Sequence, residues 1–181
     1  PALLISDDAP EVEGISHITP AQVFSPGTPW EGFAPDEEGG IAIELFTSGT
    51  TGDPKSAILR HDNLMAYILG TIEFMSAEET QSTLVSVPPY HIAGISAILS
   101  SVYAGRRMVQ LPNFSPEAWL KLAIQENVSQ AFLVPTMLQR IIEHVTNINE
   151  TLHLPAMQAI AYGGGKMPHA VIEQAMSIMP H

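Results

Sequence analysis

The segment Thr83–Leu111, TLVSVPPYHIAGISAILSSVYAGRRMVQL, contains one complete unit of the pattern that decides the fold. It begins with an apolar strand candidate, Thr83–Val87, which Pro88-Pro89 ends. Small and apolar residues then predict a helix over Ile92–Tyr103, which stops near a glycine. Arg107–Leu111 is predicted to form a second strand. A strand, a helix and a strand in this order predict parallel strands joined by a crossover helix.

The same alternation continues on both sides of this segment, from Ile41 to the C-terminus. Apolar runs predict four further strands: Ile41–Phe46, Ser56–Leu59, Gln130–Val134 and Gln158–Tyr162. We therefore predict an α/β fold for residues 41–181, with a largely parallel sheet flanked by helices and with right-handed crossovers.

Four further helices are predicted from capping residues and from apolar residues at helical spacing. Their predicted starts are Asp62 as an N-cap, Ser115 as an N-cap before Pro116, Thr136 as a cap, and Pro168. The apolar residues that define the first of these helices are Leu64, Ile68, Ile72 and Met75. One side of the second is predicted to carry Trp119, Leu122 and Ala123. The third has its apolar side at Leu138, Ile141, Ile142 and Val145.

Residues 1–40 form a lead-in that is rich in proline, glycine and acidic residues. Ala2–Ile5 is predicted to be a short strand and Thr19–Gly40 to be loop. The N-terminus has no basic stretch before its apolar residues, so it does not have the pattern of a signal peptide. The first residue is Pro1 and not methionine, which suggests a processed or excised chain.

The charge balance limits the partners of the chain. It carries 19 acidic residues against 7 lysine and arginine residues, which gives a formal net charge of −12. A nucleic-acid backbone or an anionic membrane surface would be repelled overall, so we predict neither as a partner. No uncharged apolar run reaches the roughly 20 residues needed to cross a bilayer. The chain has no cysteine, which excludes disulfides and thiolate sites, and we expect a cytoplasmic protein.

A loop rich in glycine and hydroxyl groups follows the strand at Ile41–Phe46: Thr47–Lys55 reads TSGTTGDPK. Gly49 and Gly52 allow backbone N–H groups to turn towards a phosphate. The hydroxyls that can donate to phosphate oxygens, or reach a phosphate-bound Mg²⁺, come from Thr47, Ser48, Thr50 and Thr51. Lys55 supplies a positive charge. The pattern is not a Walker A loop, in which glycine, lysine and serine or threonine are consecutive and lead into a helix.

These nine residues resemble the phosphate-loop signature of the class I adenylate-forming superfamily. That superfamily comprises acyl-CoA ligases, luciferases and peptide-synthetase adenylation domains. The resemblance implies that ATP is bound by Thr47, Ser48, Gly49, Thr50, Thr51, Gly52 and Lys55. It also implies that Thr50 and Thr51 lie beside Mg²⁺.

A second resemblance lies in Pro88–Gly94, which reads PPYHIAG. It is similar to the motif that CoA ligases of this superfamily carry at this point, whereas peptide-synthetase domains usually carry a different one. The resemblance implies that Tyr90, His91 and Gly94 lie beside the carboxylate substrate and that His91 is catalytic. It therefore favours the acyl- or aryl-CoA ligase branch.

A third resemblance lies in Tyr162–Pro168, YGGGKMP, which is similar to the glycine turn that lies against the adenine and the acyl pocket in this superfamily. It implies that the nucleotide is contacted by Gly163, Gly164 and Gly165. Because this turn and Ser48–Gly52 each follow a strand, we predict that both lie at the same edge of one sheet. Val134–Leu138 also resembles a family segment, and its apolar residues are attributed to the core.

The resemblance implies a two-step reaction of a small carboxylic acid, ATP and CoA. The acid and ATP form acyl-AMP and pyrophosphate, and CoA then displaces AMP to give a thioester. Members of the superfamily also carry a metal-binding glutamate, a ribose-binding aspartate and a C-terminal domain with a catalytic lysine. None of these motifs is found here, so we expect an internal piece of the large N-terminal domain that is inactive in isolation.

Two alternatives stay open at this point. One is another adenylating branch of the superfamily, such as a fatty-acyl-AMP ligase that stops before the thioester. The other is a non-catalytic nucleotide-binding module that retains the loop. An excised piece could also expose apolar surface and associate as a homo-oligomer.

Overall fold

The computed structural model describes residues 2–5, 7, 13, 15–23, 25–27, 39–47, 55–148 and 152–179. The chain divides into two compact units, Pro1–Glu37 and Glu38–His181. The greater part of the predicted phosphate loop, residues 48–54, lies outside the described residues.

The first unit contains two parallel strands, β1 (Ala2–Ile5) and β2 (Ile15–Ile18), and a short helix, α1 (Pro20–Val23). The predicted strand β1 is confirmed, whereas the loop predicted from Thr19 onward is wrong at α1. The Thr19 N–H donates to Gln22 Oε1 at 2.7 Å, and the Gln22 N–H donates to Thr19 Oγ1 at 3.3 Å. This reciprocal capping box, with proline at the first helical position, stabilises a helical turn within the proline- and glycine-rich lead-in.

The second unit begins with an antiparallel hairpin of β3 (Ile41–Thr47) and β4 (Lys55–Arg60). Both predicted strands are confirmed within one residue at each end. The hairpin forms a sheet of its own among the described residues, so the prediction that the two glycine-rich turns share an edge of one sheet is wrong. The short connection makes β3 and β4 antiparallel neighbours, because a parallel pair needs a crossover of a dozen or more residues.

The main sheet consists of β5 (Ser82–Val85), β6 (Arg107–Gln110), β7 (Gln130–Leu133) and β8 (Ala159–Tyr162). Their spatial order is β6-β5-β7-β8, and all three pairings are parallel. This confirms the predicted α/β fold. The chain leaves β5 in one direction to reach β6 and then returns past β5 to β7. In such sheets ligands bind outside the carboxyl ends of the strands, where the order reverses.

Five helices follow strands of the second unit: α2 (His61–Thr71), α3 (Ile92–Ala104), α4 (Pro116–Gln125), α5 (Pro135–Ile148) and α6 (His169–Ile178). All five were predicted, with ends that differ by a few residues. The predicted cap of α4 is confirmed, because Ser115 Oγ accepts a hydrogen bond from the Ala118 N–H at 3.1 Å.

Helix α2 differs from its prediction at both ends. It begins one residue before Asp62, and its cap hydrogen bond comes from Asn63, whose Oδ1 accepts from the N–H of residue 60 at 3.0 Å. It ends before Ile72, so the helical spacing predicted through Met75 does not extend that far. Met75 instead takes a positive φ of 50° and donates its N–H to the Tyr103 carbonyl at 3.0 Å. The extended backbone of Ile72 ends the helix, and the Met75 contact joins the following turn to the end of α3.

Helix α5 begins at Pro135, which places Thr136 inside the first turn and makes the predicted Thr136 cap wrong. The Val134 carbonyl accepts hydrogen bonds from the Met137 N–H at 2.9 Å and from the Leu138 N–H at 3.2 Å. Proline suits the first helical position because its fixed φ is helical and no N–H partner is needed there.

The core lies between the parallel sheet and the helices α4, α5 and α6. Trp119 of α4, Leu133 of β7 and Ile141 of α5 are fully buried. The predicted apolar side of α5 is confirmed, since its buried residues are Leu138, Ile141, Ile142 and Val145. Burial of each large apolar side chain contributes about 1.5–3 kcal/mol, so this cluster holds the ends of β7 and β8 in place.

Candidate functional site

A cleft of about 540 Å³ opens at the carboxyl ends of β5, β7 and β8. Its volume lies within the range of small-molecule pockets. The turns after these three strands contribute Val87, Pro88, His91, Ile92, Ala93, Val134, Pro135, Thr136, Met137, Gly164, Gly165 and Lys166. The cleft therefore lies where the strand order of a parallel sheet places a ligand.

The turn after β5 positions His91 at the N-cap of α3. The His91 N–H donates to the Pro88 carbonyl at 3.0 Å, and the His91 carbonyl accepts from the N–H groups of Gly94 and Ile95 at 3.0 and 3.2 Å. These bonds fix the backbone on both sides of the imidazole. The ring is exposed and lies against Tyr90, with 4.8 Å between the ring centroids. An imidazole at the cleft edge is thus accessible to a substrate.

Gly94 is buried and is not part of the cleft lining within the described residues. A Cβ atom at this position would lie 2.2 Å from the Pro88 carbonyl oxygen and 2.6 Å from that of Val87. Gly94 therefore allows α3 to pack directly on the turn that carries His91. Its predicted contact with substrate stays a prediction, and the packing gives a separate reason for glycine here.

The turn after β8 contains three glycines, of which Gly164 and Gly165 line the cleft and Gly163 does not. Gly164 has a φ of +79°, a conformation that side chains rarely adopt. A Cβ atom on Gly163 would lie 2.9 Å from Phe132 Cζ, so a side chain here would have to displace the Phe132 ring of β7. The turn presents backbone, without side chains, to a ligand in the cleft.

The turn after β7 contributes residues that sequence reasoning missed. Val134, Pro135 and Met137 were attributed to the core but line the cleft, together with the exposed Thr136. Of this segment Leu138 alone is fully in the core, at 3% exposure. Lys166, after β8, was also missed as a lining residue. The position of each segment directly after a parallel strand was the signal that could have found them.

The phosphate-loop residues are only partly placed. Thr47 and Lys55 are opposite each other as the last register pair of the hairpin, so they form the two ends of the loop. Ser48, Gly49, Thr50, Thr51 and Gly52 lie outside the described residues. Lys55 does not line the cleft as far as the structure describes it. The hairpin confirms that the loop connects two strands.

A second, smaller cavity of about 230 Å³ is bordered by α5, α6 and β8. Its lining is almost entirely aliphatic and methionine side chains, with Tyr162 as the exception. It lacks the convergent polar groups that orient a ligand, so the larger cleft is the candidate site.

Two predictions concern metal binding and the membrane, and the described ranges bear on both. These residues contain no cluster of three histidine, aspartate or glutamate side chains that could hold a metal ion. The predicted metal contacts, Thr50 and Thr51, lie outside these ranges. No helix in the described part of the chain is both long enough and apolar enough to span a bilayer. The cytoplasmic location and the homo-oligomer stay predictions.

Residues 3–181 match the sequence profile of the family described as "AMP-binding enzyme", and the chain belongs to this family. This agrees with the predicted resemblance to adenylate-forming enzymes, which is confirmed.

Two curated relatives are named CoA ligases. A 2-succinylbenzoate–CoA ligase of Bacillus cereus is 25% identical over 179 residues, which cover 94% of this chain and 35% of the relative. The mitochondrial malonate–CoA ligase of Bos taurus is 26% identical over 179 residues, covering 86% of this chain and 30% of the relative. The chain thus spans about a third of the length of these relatives.

A solved structure supports the fold. O-succinylbenzoate coenzyme A synthetase from Bacillus subtilis, in complex with AMP, is 26% identical and superimposes with a TM-score of 0.66. The match covers 78% of this chain and 28% of that protein.

Proposed function

We propose that this chain provides the phosphate loop and one wall of the acid site of an AMP-forming acyl- or aryl-CoA ligase. The observation that carries the proposal is the cleft, which brings His91 and the glycine turn Gly164–Gly165 together at the carboxyl ends of β5 and β8 in one parallel sheet. Membership of the AMP-binding family and the CoA-ligase names of its relatives support the same reaction class.

The substrates occupy two places in this proposal. The loop Thr47–Lys55 binds the β- and γ-phosphates of ATP through N–H groups, hydroxyls and the Lys55 ammonium, with Thr50 and Thr51 beside Mg²⁺. The backbone of Gly163–Gly165 contacts the nucleotide, and a turn with no side chains suits a flat ring. Tyr90 and His91 contact the carboxylic acid.

The chemistry proceeds in two balanced steps. A carboxylate oxygen attacks the α-phosphorus of ATP, the bond to the bridging oxygen breaks, and pyrophosphate leaves. The CoA thiol then loses its proton and attacks the acyl carbon, and AMP leaves with the electron pair. Mg²⁺ would neutralise charge on the phosphates. The chain contributes positioning and the Lys55 charge, which are the main requirements of such transfers.

The described residues fit this assignment. The cleft walls are mostly apolar, as an acyl or aryl group requires, and a few polar groups are available to orient the acid. The acids named in the two curated relatives, 2-succinylbenzoate and malonate, favour an acyl- or aryl-CoA ligase. Neither acid supports the alternative of a fatty-acyl-AMP ligase. Detection of a CoA thioester as product tests that alternative directly.

The test uses a complete ligase that carries these residues, supplied with ATP, Mg²⁺, CoA and a panel of carboxylic acids. We expect acid-dependent pyrophosphate release and a CoA thioester. Lys55→Ala should lower kcat/KM about 100-fold, because it removes a charge that stabilises the leaving pyrophosphate. His91→Ala should lower kcat/KM for the acid, while the exposed controls Lys121→Ala and His61→Ala should not.

Two outcomes would count against the proposal in different ways. Acyl-AMP without thioester at saturating CoA would favour the alternative that stops at the adenylate. Nucleotide binding with no pyrophosphate from any acid would favour the non-catalytic module.

A further inference from the structure

The cleft at the carboxyl ends of β5, β7 and β8 carries three polar side chains on otherwise apolar walls. His91 follows β5, Thr136 follows β7 and Lys166 follows β8. No acidic residue lines the cleft in the ranges that the structure describes. In a chain with a formal net charge of −12, the absence of negative charge here sets this surface apart.

Lys166 is the permanent cation of this group. It directly follows Gly165 and lies three residues before the start of α6, so a short turn fixes its backbone beside β8. Its side chain is exposed and makes no ion pair among the described residues. With no acidic residue among the described lining residues to compete for it, this ammonium is available to an anion in the cleft.

The strand order gives an approximate distance across the cleft. β7 lies between β5 and β8, and two strand spacings amount to about 10 Å. If the reacting carboxylate lies at His91, a second anionic group must be separated from it by several carbon atoms to reach the end of β8.

We propose that Lys166 is a specificity-determining residue that binds the second carboxylate of a dicarboxylic acid substrate. This rests on the proposed ligase function, because it takes the reacting carboxylate to be the one at His91. It narrows the substrate to acids whose two carboxylates are separated by a spacer, in preference to monocarboxylic acids of the same length.

The test compares matched acids on a complete ligase that carries these residues. The pairs are adipate with hexanoate, and 2-succinylbenzoate with 4-oxo-4-phenylbutanoate, which lacks the ring carboxylate. KM and kcat are measured from acid-dependent pyrophosphate release. We expect kcat/KM to favour the dicarboxylate at least tenfold in one pair.

Lys166→Ala should then raise the KM for that dicarboxylate about tenfold and leave its kcat, the KM for the monocarboxylate and the KM for ATP unchanged. Lys166→Arg should retain most of the preference. Lys121→Ala, which removes an exposed lysine from α4, is the matched control. Thermal unfolding of each variant separates an effect on the site from an effect on folding.

Three results would overturn the assignment. Equal changes for both acids of the pair would make Lys166 a general positioning residue. A higher KM for ATP alone would show that the cation serves a nucleotide phosphate. Absence of pyrophosphate with every acid would refute the proposed ligase function, and the assignment of Lys166 would fall with it.

Discussion

At the scale of single residues, Gly94 links packing to the site. The Pro88 and Val87 carbonyl oxygens lie so close to the position of a Cβ atom on Gly94 that no side chain fits without a shift of the backbone. The same turn carries His91 at the cleft edge. The imidazole can therefore take this position only because residue 94 has no Cβ atom. A glycine in a recognised motif therefore has a structural requirement of its own, whether or not a substrate touches it.

Gly94→Ala should destabilise the chain by about 1–3 kcal/mol, because the added methyl group must displace backbone atoms and not a flexible side chain. The measurement is the free energy of unfolding in urea. Gly70→Ala is the matched control, since nothing lies within 4 Å of its Cβ position in α2. That change should be neutral or stabilising, by up to about 1 kcal/mol, because alanine favours helix. Equal stability of the two variants would contradict the packing argument.

At the scale of elements, the start of α4 shows how a helix terminus is stabilised by its own sequence and by a neighbour. The pKa of Glu117 is lowered, first by a hydrogen bond from its own backbone N–H, then by the Ser115 hydroxyl, with smaller effects of His144 and Arg140. Glu117 Oε1 lies 3.1 Å from His144 Nδ1 of α5. The cap is local, whereas the contact with α5 depends on how two helices pack.

The lowered pKa predicts a pH dependence of stability. A carboxyl group whose pKa is lower in the folded state contributes stability above its unfolded pKa, and this contribution is lost as the pH falls through the folded pKa. Glu117→Gln should therefore be less stable than the wild type at neutral pH and equally stable in strong acid. Urea unfolding between neutral and acid pH measures the difference.

Glu79→Gln is the control for this experiment, because Glu79 is exposed and makes no ion pair within the described ranges. The difference in free energy of unfolding between Glu79→Gln and the wild type should not show the pH dependence expected for Glu117→Gln. If the difference in free energy of unfolding between Glu117→Gln and the wild type were the same at every pH, the contribution of the Glu117 charge would be refuted.

At the scale of the whole molecule, the two parts of the proposed site lie in different sheets. The hairpin β3–β4 carries the phosphate loop, while the cleft belongs to the parallel sheet. The chain also spans about a third of the length of its curated CoA-ligase relatives. In this proposal, positioning the α-phosphorus, the metal and the acid requires groups beyond the loop and one cleft wall.

The isolated 181-residue chain should therefore release no pyrophosphate above background when it is supplied with ATP, Mg²⁺ and varied carboxylic acids. The measurement is a coupled pyrophosphate assay, with the complete ligase as the positive control. Acid-dependent release that Lys55→Ala abolishes would refute this expectation and show that the described parts are sufficient.

The sequence by itself determined what depends on near neighbours along the chain. Helix and strand periodicity, the Ser115 cap and the two strands on either side of the phosphate loop follow from residues a few positions apart, and the motifs identified the family. The errors at Asp62, Met75 and Thr136 were also local. The cap hydrogen bond to Asn63, the contact of Met75 with the end of α3 and the competing Pro135 account for them.

Only the tertiary structure decided which turns meet. The order β6-β5-β7-β8 and the separate hairpin sheet depend on contacts between residues far apart in the chain, which no local pattern encodes. That order placed Thr136 and Lys166 beside His91, and it excluded a shared sheet edge for the two glycine-rich turns. The physical reason is that strand pairing and side-chain burial are selected by the free energy of the whole packed unit.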